Sequence, residues 1–343
     1  MRRARESWID NIKVFACILV TLGHFMQSMT NSQLITACWL TRWFNDTIYL
    51  FHVPLFFVCS GFVYQKYSRI DSFAGWGGNI LKKLITLGIP YLTFSVITWL
   101  LKTVFSGSVN MENQDLLTTL LVEPVAPYWF LYGLFLMFLL IPTFRRPMTM
   151  AVVIAVTLTW KLVFCFVGEL PVYMLSRLME NAVWFAGGMV LAQTKVMEKC
   201  RQTKWMLIGV GLGTVFLVLT LFFHDLRTTQ PILGFVMGLI ACAAVIFVMN
   251  YAFCGEREYP VWAYMARYTM PVFLMHTIFA AGWRAVLMKV GLTNGAVHII
   301  TGLVITFVGP VVAAWIMSKF KFLDFFINPG RYIRIGKKDT AVK

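Results

Sequence analysis

The chain has 343 residues, of which 59% are hydrophobic and only 13% charged, and its mean hydropathy is +0.73. A soluble domain is roughly half apolar and about a quarter charged, so this composition excludes a water-soluble globular protein. The formal net charge of +15 is therefore read first against a lipid bilayer and only then against nucleic acid, for which no folded basic domain is present.

Apolar runs of about 17 to 25 residues, each able to cross a hydrocarbon core of roughly 30 Å, recur from end to end. They predict an all-α integral membrane protein of about ten transmembrane helices at 8–29, 43–65, 86–104, 127–143, 148–167, 172–192, 205–223, 232–252, 269–289 and 296–317. One transmembrane domain over 1–343, ending in a basic, aromatic tail at 318–343, accounts for the whole sequence. The first run follows Arg2, Arg3 and Arg5 like the n-region of a signal peptide. It is long and lacks a small-residue cleavage site, so a retained first helix is expected. An even number of spans puts both termini on one side. That side collects most of the 30 Lys and Arg, which predicts N-in, C-in by the positive-inside rule.

The first helix contains DNIKVFACILVTLGH, residues 10–24. At 100° per residue the eleven positions from Lys13 to His24 amount to about three turns plus 20°, so both lie on one helix face, about 16 Å apart along the axis. Asp10, one turn before Lys13, is placed to orient it or to cap the helix start. Ionisable groups inside a span are costly and face a bundle interior or a wet cavity. His24 thus reads either as a functional group or as a neutral imidazole held by one interhelical hydrogen bond. A basic group at the membrane entrance and a titratable group three turns deeper suit a long substrate with an anionic head and a reactive end in the membrane. Acyl-coenzyme A has that shape.

In the second helix, Pro54 is expected to kink the span, and Ser60 with Gly61 to allow a close neighbour; His52 is open between packing and function. Segment 72–90 combines glycines with Lys82 and Lys83 and is expected to lie on the cytoplasmic surface before the third helix. The longest outer loop, about 105–126, carries Glu112, Asp115 and Glu123. Lys161 and Glu169, near a helix end, are read as snorkelling groups without a role. Arg177, Glu180 and Asn181 form an intramembrane polar set in which Arg177 and Glu180 can pair; this set is either architectural or binds an acceptor hydroxyl. GVGLG at 209–213 reads as helix packing, because no P-loop lysine follows. His276 follows Pro271 in the ninth helix as a structural partner or a second base. The seven cysteines stand singly without CxxC spacing, so neither disulfides nor a metal site is expected. In the tail, aromatic and basic residues interleave as in segments that rest among anionic headgroups.

Five stretches occur together in order: WIDNIKVFACILVTLGH at 8–24, FHVPLFFVCSGF at 51–62, LKKLITLGIPY at 81–91, PYWFLYGLFL at 127–136 and MPVFLMHTIF at 270–279. This set resembles the acyltransferase 3 family of bacterial integral membrane acyltransferases along the whole chain. One departure is Leu87, where many relatives carry an arginine three residues before the proline, here Pro90; its role would fall to Lys82 and Lys83 or be missing. The resemblance implies a multi-pass enzyme of the bacterial cytoplasmic membrane that takes an acyl group, acetyl above all, from cytoplasmic acyl-coenzyme A. Its acceptor would be a hydroxyl of a cell-envelope glycan or lipid-linked sugar, and no bound cofactor is implied. His24 and Lys13 are the catalytic candidates. Lys82, Lys83, Asp10, His52, Ser60, Trp129 and His276 are candidates for substrate or donor binding. The appended esterase-like domain of some relatives is not found, leaving acceptor handling to helices and loops. The same helices and buried histidines also suit a non-catalytic transporter or export module, and histidine ligation of a b-type haem is a third expectation to test.

Overall fold

A computed structural model describes residues 6–68, 70, 72–105, 114–223, 225–255 and 259–333. Arg2, Arg3, Arg5, Arg69, Glu112, Arg257 and the tail beyond Ile333 lie outside the described residues. The described chain is helical throughout and contains no strand. In order, its elements are α1 Ser7–Asn31, α2 Trp39–Tyr49, α3 His52–Tyr67, α4 Phe73–Lys83, α5 Ile89–Val104, α6 Trp129–Leu140, α7 Pro147–Val167, α8 Tyr173–Thr194, α9 Val196–Lys199, α10 Thr203–Phe222, α11 Leu226–Thr229, α12 Pro231–Ala252, α13 Pro260–Lys289, α14 Gly295–Met317 and α15 Lys321–Ile327.

Among the described residues, eight helical runs are long and apolar enough to cross a membrane. Eight of the ten expected spans correspond to them. The other two differ for opposite reasons. Helix α6 is apolar but only 12 residues long, well short of a bilayer's thickness. Helix α8 has 22 residues but is interrupted by Arg177, Glu180 and Asn181, and is enclosed by its neighbours.

The second span is two helices. Pro54 lies in the first turn of α3, where its missing N–H costs nothing, so it does not kink a continuous span. The chain instead breaks at Leu50–Phe51, where Phe51 has φ −139°. Gly238 of α12 lies against the Leu50 carbonyl, which a Cβ there would approach to 2.8 Å.

The third span begins at Phe73, well before the expected residue 86, and runs to Val104. Pro90 cannot donate to the preceding turn, and a π-helical turn at Leu84–Gly88 joins α4 to α5 across that gap. The Thr86 hydroxyl donates to the Lys82 carbonyl at 2.9 Å.

Helices α3 and α8 form the centre of the bundle. A Cβ on Gly61 would stand 1.9 Å from the Phe185 carbonyl oxygen, and a Cβ on Gly188 1.9 Å from that of Val58. The two glycines are thus reciprocal contact points between the helix backbones. Gly61→Ala is expected to lose about 3 kcal/mol of stability, the upper end for overpacking, because the obstacle is backbone and cannot rotate away. Gly77→Ala, with open space around it, should be neutral; melting in detergent by intrinsic fluorescence checks both. Gly209, in the GVGLG stretch, packs against Ala244 and Phe247 of α12, as expected of a packing glycine.

The tail folds back on the bundle. The Asp324 carboxylate accepts from Arg331 (3.1 Å), Tyr332 (2.8 Å) and Asn328 (2.8 Å), and Gly330 abuts Thr86. Phe320 and Phe322 stay exposed, as apolar groups facing lipid would. All seven cysteines are free; five are buried and Cys38 is exposed.

Candidate active site

A cavity of about 340 Å³ opens at the end of the bundle opposite the N-terminus. Its walls are the second half of α1, the starts of α3, α6, α8 and α12, the end of α7, and Arg227 of α11. Of the residues singled out in the sequence, His24, His52, Trp129, Arg177, Glu180 and Asn181 all line it. Lys13, Asp10, Lys82, Lys83, Ser60 and His276 do not.

His24 projects from α1 half-buried and makes no hydrogen bond with a described residue. Its ring lies 5.4 Å, centroid to centroid, from His276 and 6.5 Å from Tyr49. His276 is fully buried behind it. The His276 Nδ1 faces the carbonyls of Val272 and Phe273, both at 3.0 Å. Carbonyl oxygens only accept, so Nδ1 carries the proton, and the neutral ring leaves a lone pair on Nε2, which has no partner. His52 repeats the pattern: its Nδ1–H donates to the Ile48 carbonyl at 2.6 Å. That carbonyl, at the break before α3, also accepts the Phe51 N–H at 3.2 Å. Tyr49 stands edge-on to His52 at 4.7 Å, so His24, His52 and the Tyr49 phenol form one wall, with His276 behind His24.

The facing wall is charged. Arg177 donates to Glu180 at 2.7 Å and also pairs with Glu169. Arg227 Nε donates to Glu180 at 3.1 Å, and the Arg177 guanidinium stands 6.0 Å from the Trp129 ring and 5.1 Å from that of Tyr173. The expected Arg177–Glu180 pair is therefore part of a larger network. Asn181 is held by the Arg177 carbonyl at 3.0 Å.

Lys161 does not snorkel away from the protein, whereas Glu169 is exposed as expected. Lys161 is 7% exposed, and both line the cavity. The legible signal was a stripe at four-residue spacing, Thr157, Lys161 and Cys165, which is the buried face of α7. Arg227 was missed because a lone arginine in a short connection has no periodicity to mark it.

Lys13 lies half-buried three turns from His24 along α1, within electrostatic range of Lys83, as is Lys82. The Lys83 ammonium is 4.0 Å from the Phe138 ring centre, and Lys82 is exposed. Asp10 and Lys13 both lie near Cys59 of α3. The basic groups and the cavity thus occupy opposite ends of α1, with His24 nearer the cavity. Ser60 belongs to neither, and among the described residues no cluster suited to a metal ion occurs.

Two curated relatives align over part of the chain: nodulation protein NolL of Mesorhizobium japonicum, 31% identical over 145 residues, and nodulation protein NolL of Sinorhizobium fredii, 31% identical over 144. Each alignment covers 41% of this chain and 37% of the relative, so the chain is matched to well under half of their length. No solved structure matches. The family profile described as an acyltransferase domain matches residues 6–317. That match spans nearly the whole described helical bundle, with its eight runs long and apolar enough to cross a membrane: the chain belongs to the acyltransferase 3 family.

Proposed function

We propose that this chain is an O-acyltransferase, with acetyl the first acyl group to test. It would carry the acyl group of a cytoplasmic acyl-coenzyme A to a hydroxyl of a cell-envelope glycan or lipid-linked sugar. The observation that carries the reading is the position of His24, which faces a polar cavity at one end of α1 while Lys13, Lys82 and Lys83 gather at the other. In this reading the N- and C-termini face the cytoplasm, as the lysine and arginine distribution favours. The basic end receives the phosphates of the donor, its thioester reaches His24, and the acceptor enters from the cavity side. The same reading has the enzyme in the bacterial cytoplasmic membrane.

The step needs one base. His24 takes the proton of the acceptor hydroxyl as its oxygen bonds to the thioester carbon; the C–S bond breaks, and the proton passes to the departing thiolate. The products are an ester and free coenzyme A. His276 acts as a positioning residue, its Nε2 lone pair being available to a His24 N–H. A histidine able to attack the thioester itself would serve a two-step route through an acyl-enzyme. Labelled protein after incubation with radioactive acetyl-coenzyme A without acceptor marks that route.

Purified protein should release coenzyme A from acetyl-coenzyme A and pass the label to envelope glycan in membrane preparations. If it neither binds nor turns over acetyl-coenzyme A, yet moves a solute into liposomes, the transporter reading replaces this one. Lys13→Ala should raise the apparent KM for acetyl-coenzyme A by roughly tenfold, the loss of one charge-assisted contact, with Lys13→Arg nearer wild type. Initial rates against donor concentration check it.

A further inference from the structure

The charged wall of the cavity holds more positive than negative groups. Its carboxylates are Glu169 and Glu180, and its cations Arg177, Arg227 and Lys161. Both carboxylates are engaged by arginine: Glu180 by Arg177 and Arg227, Glu169 by Arg177. Lys161 is left over. It is 7% exposed, lines the cavity, and forms no hydrogen bond or ion pair with a described residue. Its ammonium instead lies over two rings, 5.4 Å from Phe235 and 5.5 Å from Phe164. The Arg177 Nε is also buried without a partner.

A buried cation needs an anion or a full set of acceptors; the carboxylate within electrostatic range of Lys161, that of Glu180, is already bonded by Arg177 and Arg227, and no described residue bonds Lys161 directly. We infer that Lys161 is the anchor of an anion-binding subsite, taking the carboxylate or phosphate of an acidic sugar so that its hydroxyl is presented to His24. This rests on the acyl-transfer reading only for the role of the ligand, not for its binding. Trp129 and Tyr173, beside Arg177, offer flat apolar faces to a sugar ring. A negative charge could also come from the donor's phosphates, but Lys13, Lys82 and Lys83 lie at the other end of α1.

The test is ligand binding to the full chain in detergent, followed by tryptophan fluorescence and thermal melting. The probes are methyl β-glucuronide, glucose 1-phosphate, methyl β-glucoside and coenzyme A. Either or both acidic sugars should bind, with the neutral glucoside at least tenfold weaker. Lys161→Met should weaken the acidic probes tenfold or more and leave coenzyme A unchanged, while Lys161→Arg retains most of the binding. Equal binding of acidic and neutral sugars, no binding of either acidic sugar, or unchanged affinity in Lys161→Met overturns the assignment. Loss of coenzyme A binding in Lys161→Met also overturns it, by giving the anion to the donor. If Lys161→Met does not fold, wild type and Lys161→Arg decide by the acidic-to-neutral ratio alone. Lys161-dependent binding in a protein that turns over no acetyl-coenzyme A would leave the subsite standing while removing the acyl-transfer reading.

Discussion

His24→Ala is expected to lower acyl transfer by roughly a hundredfold to ten-thousandfold, the range supplied by one positioned base, while the protein inserts and melts as wild type does. The structural cost is small because His24 is half-buried and holds no hydrogen bond that its removal would strand. Its neighbours are rings at 5.4 and 6.5 Å, and the space it vacates joins an existing cavity. A folded, inserted His24→Ala protein that transfers acetyl at the wild-type rate would remove the proposed mechanism. His276 offers a contrast. It is fully buried with Nδ1 committed to two carbonyls, so His276→Ala should lower kcat, leave the donor KM in place and also cost stability.

The second large effect is on folding. Glu180→Ala should destabilise the protein by about 3–5 kcal/mol, the usual result of leaving a buried charge without its partner. Glu180 is 8% exposed and holds both Arg177 and Arg227; without it three cations face one another across the cavity with only Glu169 as counter-charge. Glu169→Ala should cost less than about 1 kcal/mol, because its side chain is 69% exposed and solvent screens the pair. Adding Arg227→Met to Glu180→Ala should recover part of the loss by removing one of the stranded cations. If the double variant melts no higher than Glu180→Ala, packing rather than charge governs the site. Detergent melting curves of the four proteins decide between these outcomes.

How much of this was readable without the fold differs from residue to residue. Lys13 and His24 share one helix, and the distance between them follows from helix geometry alone. The Arg177–Glu180 pair was legible for the same reason, its partners being three residues apart. Apolar runs likewise mark spans, because a hydrocarbon core sets a minimum length. That rule does not carry over to α6 and α8, a short helix and a polar helix packed among their neighbours, which fall outside the eight runs long and apolar enough to cross. Helix α8 carries Arg177, Glu180 and Asn181 because α3 and α7 shield it from lipid, and no window of hydropathy reports that shielding.

The class of protein, the apolar spans, the five ordered motifs and the face shared by Lys13 and His24 all follow from the order of residues. All of these depend on composition or on neighbours within one helix. That His24, His52 and Trp129 share a cavity with Glu169, Arg177, Glu180 and Arg227 emerges only from the packed fold. It alone turned Lys161 from a surface lysine into a buried cation. These contacts join α1, α3, α7, α8 and α11 across long stretches of chain. They depend on close backbone approaches such as that of Gly61 to Phe185, for which sequence periodicity carries no signal.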